Sequence, residues 1–468
     1  MPKALAAFSF PILLTNVLQA AMLFINSLWV GNLLGSTAFG AVTVATTLLA
    51  LVLAFVIGLN NATLTIFAQL KGAGDQQKTN QYLSSFVVIL LVLSLLISIA
   101  GLVFAQPLLV LMNTPPSLIP PAKLYLQINF AGTALLVGYN FIGSALRAFG
   151  DSRTPLHFVL MATVLTAVLA PLFMGVVKLG VAGAALAWLL AQSAAFIGSL
   201  VYLAHKFSGH TFRLRVPRRD EIATILNQGI PSGLQMLVIY AGITVILSLV
   251  NTLGPAAVAG FGAAQRLDTM VLLPATALGT AVNAMAGQNM GAGNWQRVAL
   301  ITKTGVVYNI AVMFAIALAL FIWAEPLVRL FIDDADSVRF GIVYLKIIAF
   351  FYPFIGFNFI FNGVVRGAGA MAQVLMLNII SLWLLRVPLS YGAVYLFGDP
   401  GVALGIGTSF ALSCGFSAAY YKWGGWRSKV LFRSGSAPAA ARGQAQGLRG
   451  WAPSCSSTHQ ECCSAQKS

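Results

Sequence analysis

The stretch AQLKGAG at residues 68–74 recurs as GQNMGAG at residues 287–293, displaced by 219 positions along the chain. The same displacement relates a series of identical residues without a gap: Gly35 and Gly254, Pro107 and Pro326, Leu108 and Leu327, Tyr125 and Tyr344, Arg147 and Arg366, and Gly150 and Gly369. A single register kept over this much of a chain is the signature of an internal repeat. The sequence therefore predicts two homologous halves.

The amino-acid composition indicates that the two halves lie in a lipid bilayer. Of the 468 residues, 59% are hydrophobic and only 8% are charged, whereas soluble globular domains average about 25% charged residues. Runs of about 20 apolar residues are long enough to cross a bilayer as helices. We expect an all-α polytopic membrane protein with twelve transmembrane helices, near residues 8–31, 38–67, 82–105, 124–146, 156–177, 181–204, 226–250, 256–286, 304–324, 341–365, 372–397 and 402–421.

The positive charges predict the orientation of these helices. The chain carries 27 Lys and Arg against 11 Asp and Glu. Twenty of the 27 cations lie in the termini and in the loops on the same side as the termini, and cytoplasmic loops are enriched in Lys and Arg. We expect a multi-pass protein of the plasma (inner) membrane with both termini in the cytoplasm. The cations form no aromatic-rich basic face, so nucleic-acid binding is not expected.

Four regions follow from the repeat and the charge pattern. Residues 1–205 form an N-lobe of helices 1–6, and residues 224–426 form a C-lobe of helices 7–12. Residues 206–223 form a basic cytoplasmic linker, and the Ser- and Gly-rich residues 427–468 a disordered cytoplasmic tail that holds Cys455, Cys462 and Cys463. Because six helices are an even number, the repeats are parallel, and substrate is expected in a central cavity between them.

The GAG runs at the ends of the repeated stretches have a simple structural interpretation. Gly72 and Gly74, like Gly291 and Gly293, follow long apolar segments. Glycine adopts the left-handed conformation that closes a helix C-terminus. All four are therefore expected to form tight turns.

One acidic residue stands apart from the others. Asp268 is the only one of the 11 acids well inside an apolar segment. A carboxylate in a partly desolvated cavity can exchange a proton near neutral pH or hold a sodium ion. Asp268 is the predicted cation-coupling residue. The alternative is a structural role, in which Asp268 bonds a neighbouring helix or pairs with Arg386.

Uncharged polar residues within the apolar segments are more numerous. Singly, each can be explained by an interhelical hydrogen bond. Together they suit a cavity with many hydrogen-bonding groups and little fixed charge. The predicted substrate-cavity residues are Asn26, Tyr139, Asn140, Thr166, Gln235, Tyr240, Asn283, Asn378 and Arg386.

Six motifs in the right order resemble the multidrug and toxic-compound extrusion (MATE) transporters over about residues 1–426. They are the two GAG stretches, LRAFGDSRTP at 146–155, GVAGAALAWLLAQ at 180–192, QRLDTMVLLPATALG at 265–279 and LNIISLWLLRVPL at 377–389. The resemblance implies two six-helix lobes around a central cavity. It also implies export of organic, often cationic compounds, driven by inward flow of protons or sodium ions.

The sequence departs from the family pattern in the N-lobe. Asn26 stands where the family usually carries an Asp, and Thr166 and Ala170 stand where it carries an Asn and an Asp. A family Glu in the seventh helix is replaced near Ile239. The N-lobe cation site is therefore expected to be absent, with coupling transferred to Asp268, weakened or lost.

The predicted function is secondary active multidrug efflux, in antiport with protons or sodium ions. Small organic substrates and the bilayer are the expected partners, and the protein is expected to be monomeric. The alternative is a flippase for a lipid-linked or polysaccharide precursor, although only Arg266 and Arg386 could meet an anionic headgroup. No catalytic residues, metal ligands or cofactor motifs are recognisable, so an enzyme is not expected.

Overall fold

The computed structural model describes residues 1–206 and 215–433. This part of the chain is helical, without strands. Its α-helices are α1 (Pro2–Ala73), α2 (Gln76–Leu111), α3 (Ile119–Ala131), α4 (Thr133–Ala148), α5 (Arg153–Pro171), α6 (Val181–Lys206), α7 (Arg219–Asn251), α8 (Pro255–Gly291), α9 (Trp295–Arg329), α10 (Ala335–Ala349), α11 (Tyr352–Gly367), α12 (Met371–Ile379), α13 (Val387–Phe397) and α14 (Pro400–Trp423).

These helices make up twelve membrane spans. Nine helices in the described residues are long and apolar enough to cross a bilayer, and the pair α10 and α11, bent by 52°, forms a tenth. Gly35, with φ 81° and ψ −178°, breaks α1 into two spans. The broken pair α3 and α4 corresponds in the repeat to α10 and α11. Spans five and eleven each continue into a π-helical segment, at Leu172–Val176 and Ile380–Arg386.

The duplication is visible in the backbone itself. Gly35 and Gly254 both have positive φ, at 81° and 104°, where each ends one span and begins the next. The turn glycines Gly74 and Gly293 match at 72° and 76°. A further matched pair, Gly150 and Gly369, has φ of 92° and 86°. Because positive φ strongly favours glycine, these positions keep the register of the two lobes.

The lobes share a core at one end only. We call this end the terminal face: the chain begins there, and α1, α8, α11 and α14 end there. Near the terminal face, Leu5 and Ile12 pack in the C-lobe core, and Ile225 packs in the N-lobe core. In the opposite half of the bundle, each hydrophobic cluster is drawn from a single lobe. The lobes are therefore closed at the terminal face and separately packed at the other.

Two of the four GAG glycines differ from the sequence-based expectation. Gly74 and Gly293 close helix ends in the left-handed conformation, as predicted. Gly72 and Gly291 lie instead on helical backbone where the lobes cross. A Cβ added at Gly72 would lie 1.8 Å from the carbonyl oxygen of Gln288, and one at Gly291 would lie 2.1 Å from that of Gln69. These glycines permit backbone-to-backbone contact.

This contact gives a first prediction. Gly72→Ala should lower the melting temperature by several degrees, since the added methyl group pushes two backbones apart and overpacking costs about 1–3 kcal/mol. Gly143→Ala is the matched control, because a Cβ there meets nothing within 4 Å. Thermal unfolding of both detergent-purified variants is the measurement. Equal melting temperatures would show that the crossing tolerates a side chain.

The start of the tail also differs from the prediction. Residues 427–433, assigned to the disordered tail from their composition, are folded against the protein, beginning in a 3₁₀ helix at Gly425–Lys429. A run this short shows no periodicity, so the sequence could not reveal its docking. Residues 434–468, including Cys455, Cys462 and Cys463, lie outside the described residues.

Candidate transport site

Asp268 lies at the centre of a cluster in the C-lobe. It sits on α8, about four turns from Gly254, and its side chain is half-buried. Tyr344 donates a hydrogen bond of 2.9 Å from its hydroxyl to Oδ2. Tyr352 donates from its hydroxyl to Oδ1. Hydrogen bonds to an ionised carboxylate are among the stronger ones in proteins, so the two tyrosines stabilise the ionised form of Asp268.

The bend between α10 and α11 brings the two tyrosines together. Tyr344 lies on α10 and Tyr352 at the start of α11, on either side of the 52° break. Their rings are almost fully buried, at 3% and 1% exposure. Phe261 packs edge-on against Tyr344, with ring centroids 5.3 Å apart. The rings are fixed by packing, and the carboxylate they clamp is the more accessible partner.

Arg386 lies close enough to Asp268 for the opposite charges to attract, without a direct ion pair. Its Nε donates to Ser409 Oγ at 3.2 Å, and its guanidinium stacks on the Phe410 ring at 4.8 Å. It forms no salt bridge with Asp268 among the described residues. Arg386 ends the π-helical segment Ile380–Arg386, and π-helical turns are frequent at functional sites. Of the two structural alternatives for Asp268, hydrogen bonding to a neighbouring helix is present, and Arg386 adds an electrostatic attraction without a direct salt bridge.

The corresponding position of the N-lobe has no carboxylate. Leu49 occupies the place that Asp268 takes in the repeat, while Tyr125 matches Tyr344. Asn26 donates from Nδ2 to the Tyr125 hydroxyl at 3.5 Å, and Asn129 donates to the Tyr125 carbonyl at 2.8 Å. At this position the N-lobe thus retains a tyrosine and two amides, but no carboxylate.

Four more predicted cavity residues either bond a backbone carbonyl of their own helix or pack in a hydrophobic cluster. Thr166 is fully buried and donates to the Ala162 carbonyl at 2.8 Å. Asn140 and Asn378 donate to carbonyls one turn earlier, at 2.9 and 2.7 Å. Tyr139 is buried in a hydrophobic N-lobe cluster. The structure does not bring these four to Asp268.

The remaining three predicted cavity residues differ in exposure. Asn283 accepts a 3.1 Å hydrogen bond from Thr65 across the two lobes. Gln235 is 1% exposed, and its Oε1 has no hydrogen-bond partner. Tyr240, further along α7, is 40% exposed. Asn283 and Gln235 therefore belong to the seam between the lobes, and Tyr240 lies beyond it.

Two glutamines join the lobes reciprocally at the terminal face. Gln69 donates from Nε2 to the Gly367 carbonyl at 2.7 Å, and Gln288 donates to the Ala148 carbonyl at 2.6 Å. Both donors and both acceptors are related by the repeat displacement of 219 residues. Each glutamine therefore reaches from one lobe to the end of a helix in the other. These four residues form polar contacts between the lobes in addition to the bond from Thr65 to Asn283.

Sequence reasoning missed several members of these sites. Tyr344 was visible only as a repeat-matched partner of Tyr125, and Gln69 and Gln288 lie inside the GAG stretches without drawing attention. Tyr352, Ser409 and Phe410 gave no signal, since an aromatic or serine in an apolar segment is ordinary. No group of three or more His, Cys, Asp or Glu suited to a metal occurs in residues 1–206 and 215–433.

The clamp on Asp268 gives a second prediction. Tyr352→Phe removes one donor to the carboxylate while keeping the buried ring, so transport should fall severalfold without loss of folding. Tyr395→Phe is the control, since Tyr395 is 90% exposed. Initial transport rates in proteoliposomes, together with melting temperatures, distinguish the outcomes. A Tyr352→Phe rate equal to that of Tyr395→Phe would show that the clamp is dispensable.

Comparison with known proteins agrees with this architecture. The MatE family model matches residues 11–172 and again 231–392, once in each lobe. The chain is 50% identical over 431 residues to the probable multidrug resistance protein YpnP of Bacillus subtilis, covering 92% of this chain and 97% of that one. It is 25% identical to YoeA of the same organism, also a probable multidrug resistance protein, over 92% and 95% of the two chains.

The fold is also similar to a solved structure. The MATE transporter VcmN of Vibrio cholerae, in its bent form, superposes with a TM-score of 0.86 at 20% identity, covering 92% of this chain and 98% of that one. The two matched halves, the twelve spans and the half-identical relative together assign the protein to a family of integral membrane transporters. The chain belongs to the MatE family.

Proposed function

We propose that the protein is a secondary active multidrug exporter that moves small organic, often cationic compounds in exchange for protons or sodium ions. The observation that carries the proposal is the single clamped carboxylate, Asp268, in a two-lobe membrane bundle closed at one end only. The carboxylate of Asp268 supplies a negative charge that attracts a cation. The two lobes can expose this carboxylate to either side of the membrane.

The orientation follows from charge. Lys71, Arg147, Arg218 and Arg297 are among the cations at the terminal face, and the side enriched in Lys and Arg is cytoplasmic. We assign both termini to the cytoplasm and the protein to the plasma (inner) membrane, as a monomer. The lobes closed at the terminal face then correspond to an outward-facing state.

The coupling mechanism rests on competition for one charge. When Asp268 is ionised, the hydroxyls of Tyr344 and Tyr352 stabilise it, and it attracts a cationic substrate. A proton or sodium ion from outside neutralises that charge and releases the substrate. Linkage is reciprocal, so substrate binding from the cytoplasm equally displaces the ion. A coupling free energy of about 1–3 kcal/mol is typical.

A polar stripe on α7 supports a cytoplasmic route to this site. Gln228, Ser232 and Gln235 lie on one helical face, and each has a buried oxygen without a hydrogen-bond partner. The face packs tightly on the second span of α1, where a Cβ at Gly58 would lie 2.2 Å from the Gly233 nitrogen. Buried unpaired polar groups cost about 1–3 kcal/mol. Separation of the lobes would expose these oxygens to substrates that donate hydrogen bonds.

The proposal is tested by measuring dye efflux under two different ion gradients. Liposomes that contain the purified protein are loaded with a cationic dye. They are then exposed to a proton gradient and, in a separate experiment, to a sodium gradient. We expect efflux with one gradient and none with a membrane potential alone. Absence of efflux under both gradients, with transbilayer movement of a lipid-linked sugar instead, would contradict export and favour the flippase.

A further inference from the structure

The residues after α14 cross from the C-lobe to the N-lobe at the terminal face. We propose that Gly425–Arg433, which we call the strap, is a clasp: its docking on the N-lobe keeps the terminal face closed, and its release favours opening of that face. The proposal rests on the alternating access of the proposed function, but concerns a part of the chain outside the site at Asp268.

The strap is anchored on the C-lobe by Trp426. This residue is 1% exposed, and its ring stacks on Tyr421 with centroids 5.5 Å apart and an interplanar angle of 17°. Its Nε1 donates to the Tyr421 carbonyl at 2.8 Å, and Trp295 packs against it at 6.1 Å. Trp426 therefore moves with the C-lobe.

The other end of the strap docks on the N-lobe. The backbone N–H groups of Leu431 and Phe432 both donate to Gln69 Oε1, at 2.8 and 3.1 Å. The Phe432 ring packs edge-on against Tyr82, with centroids 5.1 Å apart. Leu431 and Phe432 pack against the N-lobe hydrophobic cluster that contains Phe67 and Phe86. Docking combines two hydrogen bonds with apolar burial.

Gln69 connects the strap to the seam. Its amide nitrogen donates to the Gly367 carbonyl, and its oxygen accepts two hydrogen bonds from the strap. This one fully buried side chain therefore makes one bond to the C-lobe and two to the strap that is anchored on the C-lobe. Separating the lobes at the terminal face breaks all three together. Releasing the strap first removes two of them and leaves the Gln69 oxygen free to bind water.

The strap lies on the half of the seam that contains Gln69. Gln288, the repeat partner of Gln69, forms the matching bond to Ala148, but no hydrogen bond from a strap to Gln288 occurs among the described residues. The strap also covers the turn after α11, where a Cβ at Gly369 would lie 2.9 Å from Leu431. The clasp therefore adds two hydrogen bonds to the contact that Gln69 makes between the lobes.

The test measures how often the terminal face opens. Ser232→Cys, fully buried in the seam, is introduced into protein whose four native cysteines are replaced by serine. Its reaction with a membrane-impermeant maleimide, applied from the cytoplasmic side, reports opening. Phe432→Ala removes the ring on Tyr82, and Leu431→Pro removes one backbone donor outside any helix. Trp423→Ala, exposed beside the strap at 75%, is the matched control.

Both strap variants should label about fivefold to tenfold faster than the parent, since losing one or two contacts shifts a two-state equilibrium by that factor. Trp423→Ala should label at the parental rate. Parental rates in both strap variants would overturn the proposal. Melting temperatures within a few degrees of the parent confirm that the variants are folded.

Failure of the proposed function has a different signature. Labelling requires no substrate, so the strap variants should label faster even in a protein that exports nothing. Conversely, if the protein exports dye but the strap variants label at the parental rate, the proposed export stands and the clasp proposal is wrong.

Discussion

Asp268→Asn is expected to reduce gradient-driven export strongly while the protein remains folded. Asparagine is nearly the same size and keeps an oxygen for one tyrosine donor, but it carries no negative charge at any pH. If coupling is worth about 1–3 kcal/mol, its loss reduces the gradient-dependent rate by roughly 5- to 150-fold. The measurement is dye efflux from proteoliposomes under the driving gradient.

Asp399→Asn is the control for Asp268→Asn. Asp399 precedes α14 in an exposed turn on the side opposite the terminal face, so its removal changes net charge equally without touching the site. It should export at the wild-type rate. An Asp268→Asn protein that responds to the gradient as strongly as the control would show that ion coupling lies elsewhere in the chain.

Replacing Gln69 and Gln288 together by leucine is expected to shift the lobes towards opening at the terminal face. Each substitution removes a hydrogen bond between lobes worth about 0.5–1.5 kcal/mol. Together they should change the ratio of open to closed protein by roughly 5- to 150-fold. The single variants should differ, because Gln69 also accepts the two bonds of the strap: Gln69→Leu should open more than Gln288→Leu.

Spin labels at Gln77 and Gln296 provide the measurement for the glutamine pair. Both side chains are exposed, and they occupy matching positions near the starts of α2 and α9. The distance distribution between them, from pulsed electron resonance, should gain a longer component. Gln106→Leu, exposed and bonded to Lys123 on the other side of the protein, is the control. Identical distributions in all variants would contradict the role of the glutamines.

Much of the fold could be predicted because it depends on short segments whose residue types can be recognised in the sequence. Runs of apolar residues specify spans, and the recurrence of AQLKGAG as GQNMGAG specifies two lobes. The matched φ values of Gly74 and Gly293 confirm that register. Asp268 could be singled out for a similar reason, since an acid within an apolar segment is rare.

The rest depended on contacts between distant parts of the chain. Tyr352 reaches Asp268 only because α10 and α11 bend, and no residue type marks that bend as a clamp. Gly72 resembles a turn glycine until the second lobe is placed against it. Phe432 meets Tyr82 across most of the chain. Of the nine predicted cavity residues, Thr166, Asn140 and Asn378 satisfy backbone carbonyls, which composition cannot distinguish from ligand contact.

The reciprocal bonds of Gln69 and Gln288 make the seam an isologous interface, of the kind that joins two subunits of a symmetric dimer. Here both partners are covalently linked, so the two copies have been free to diverge. Asp268 and Leu49 are an outcome of that freedom: one lobe carries a carboxylate at this position, and the other carries a leucine.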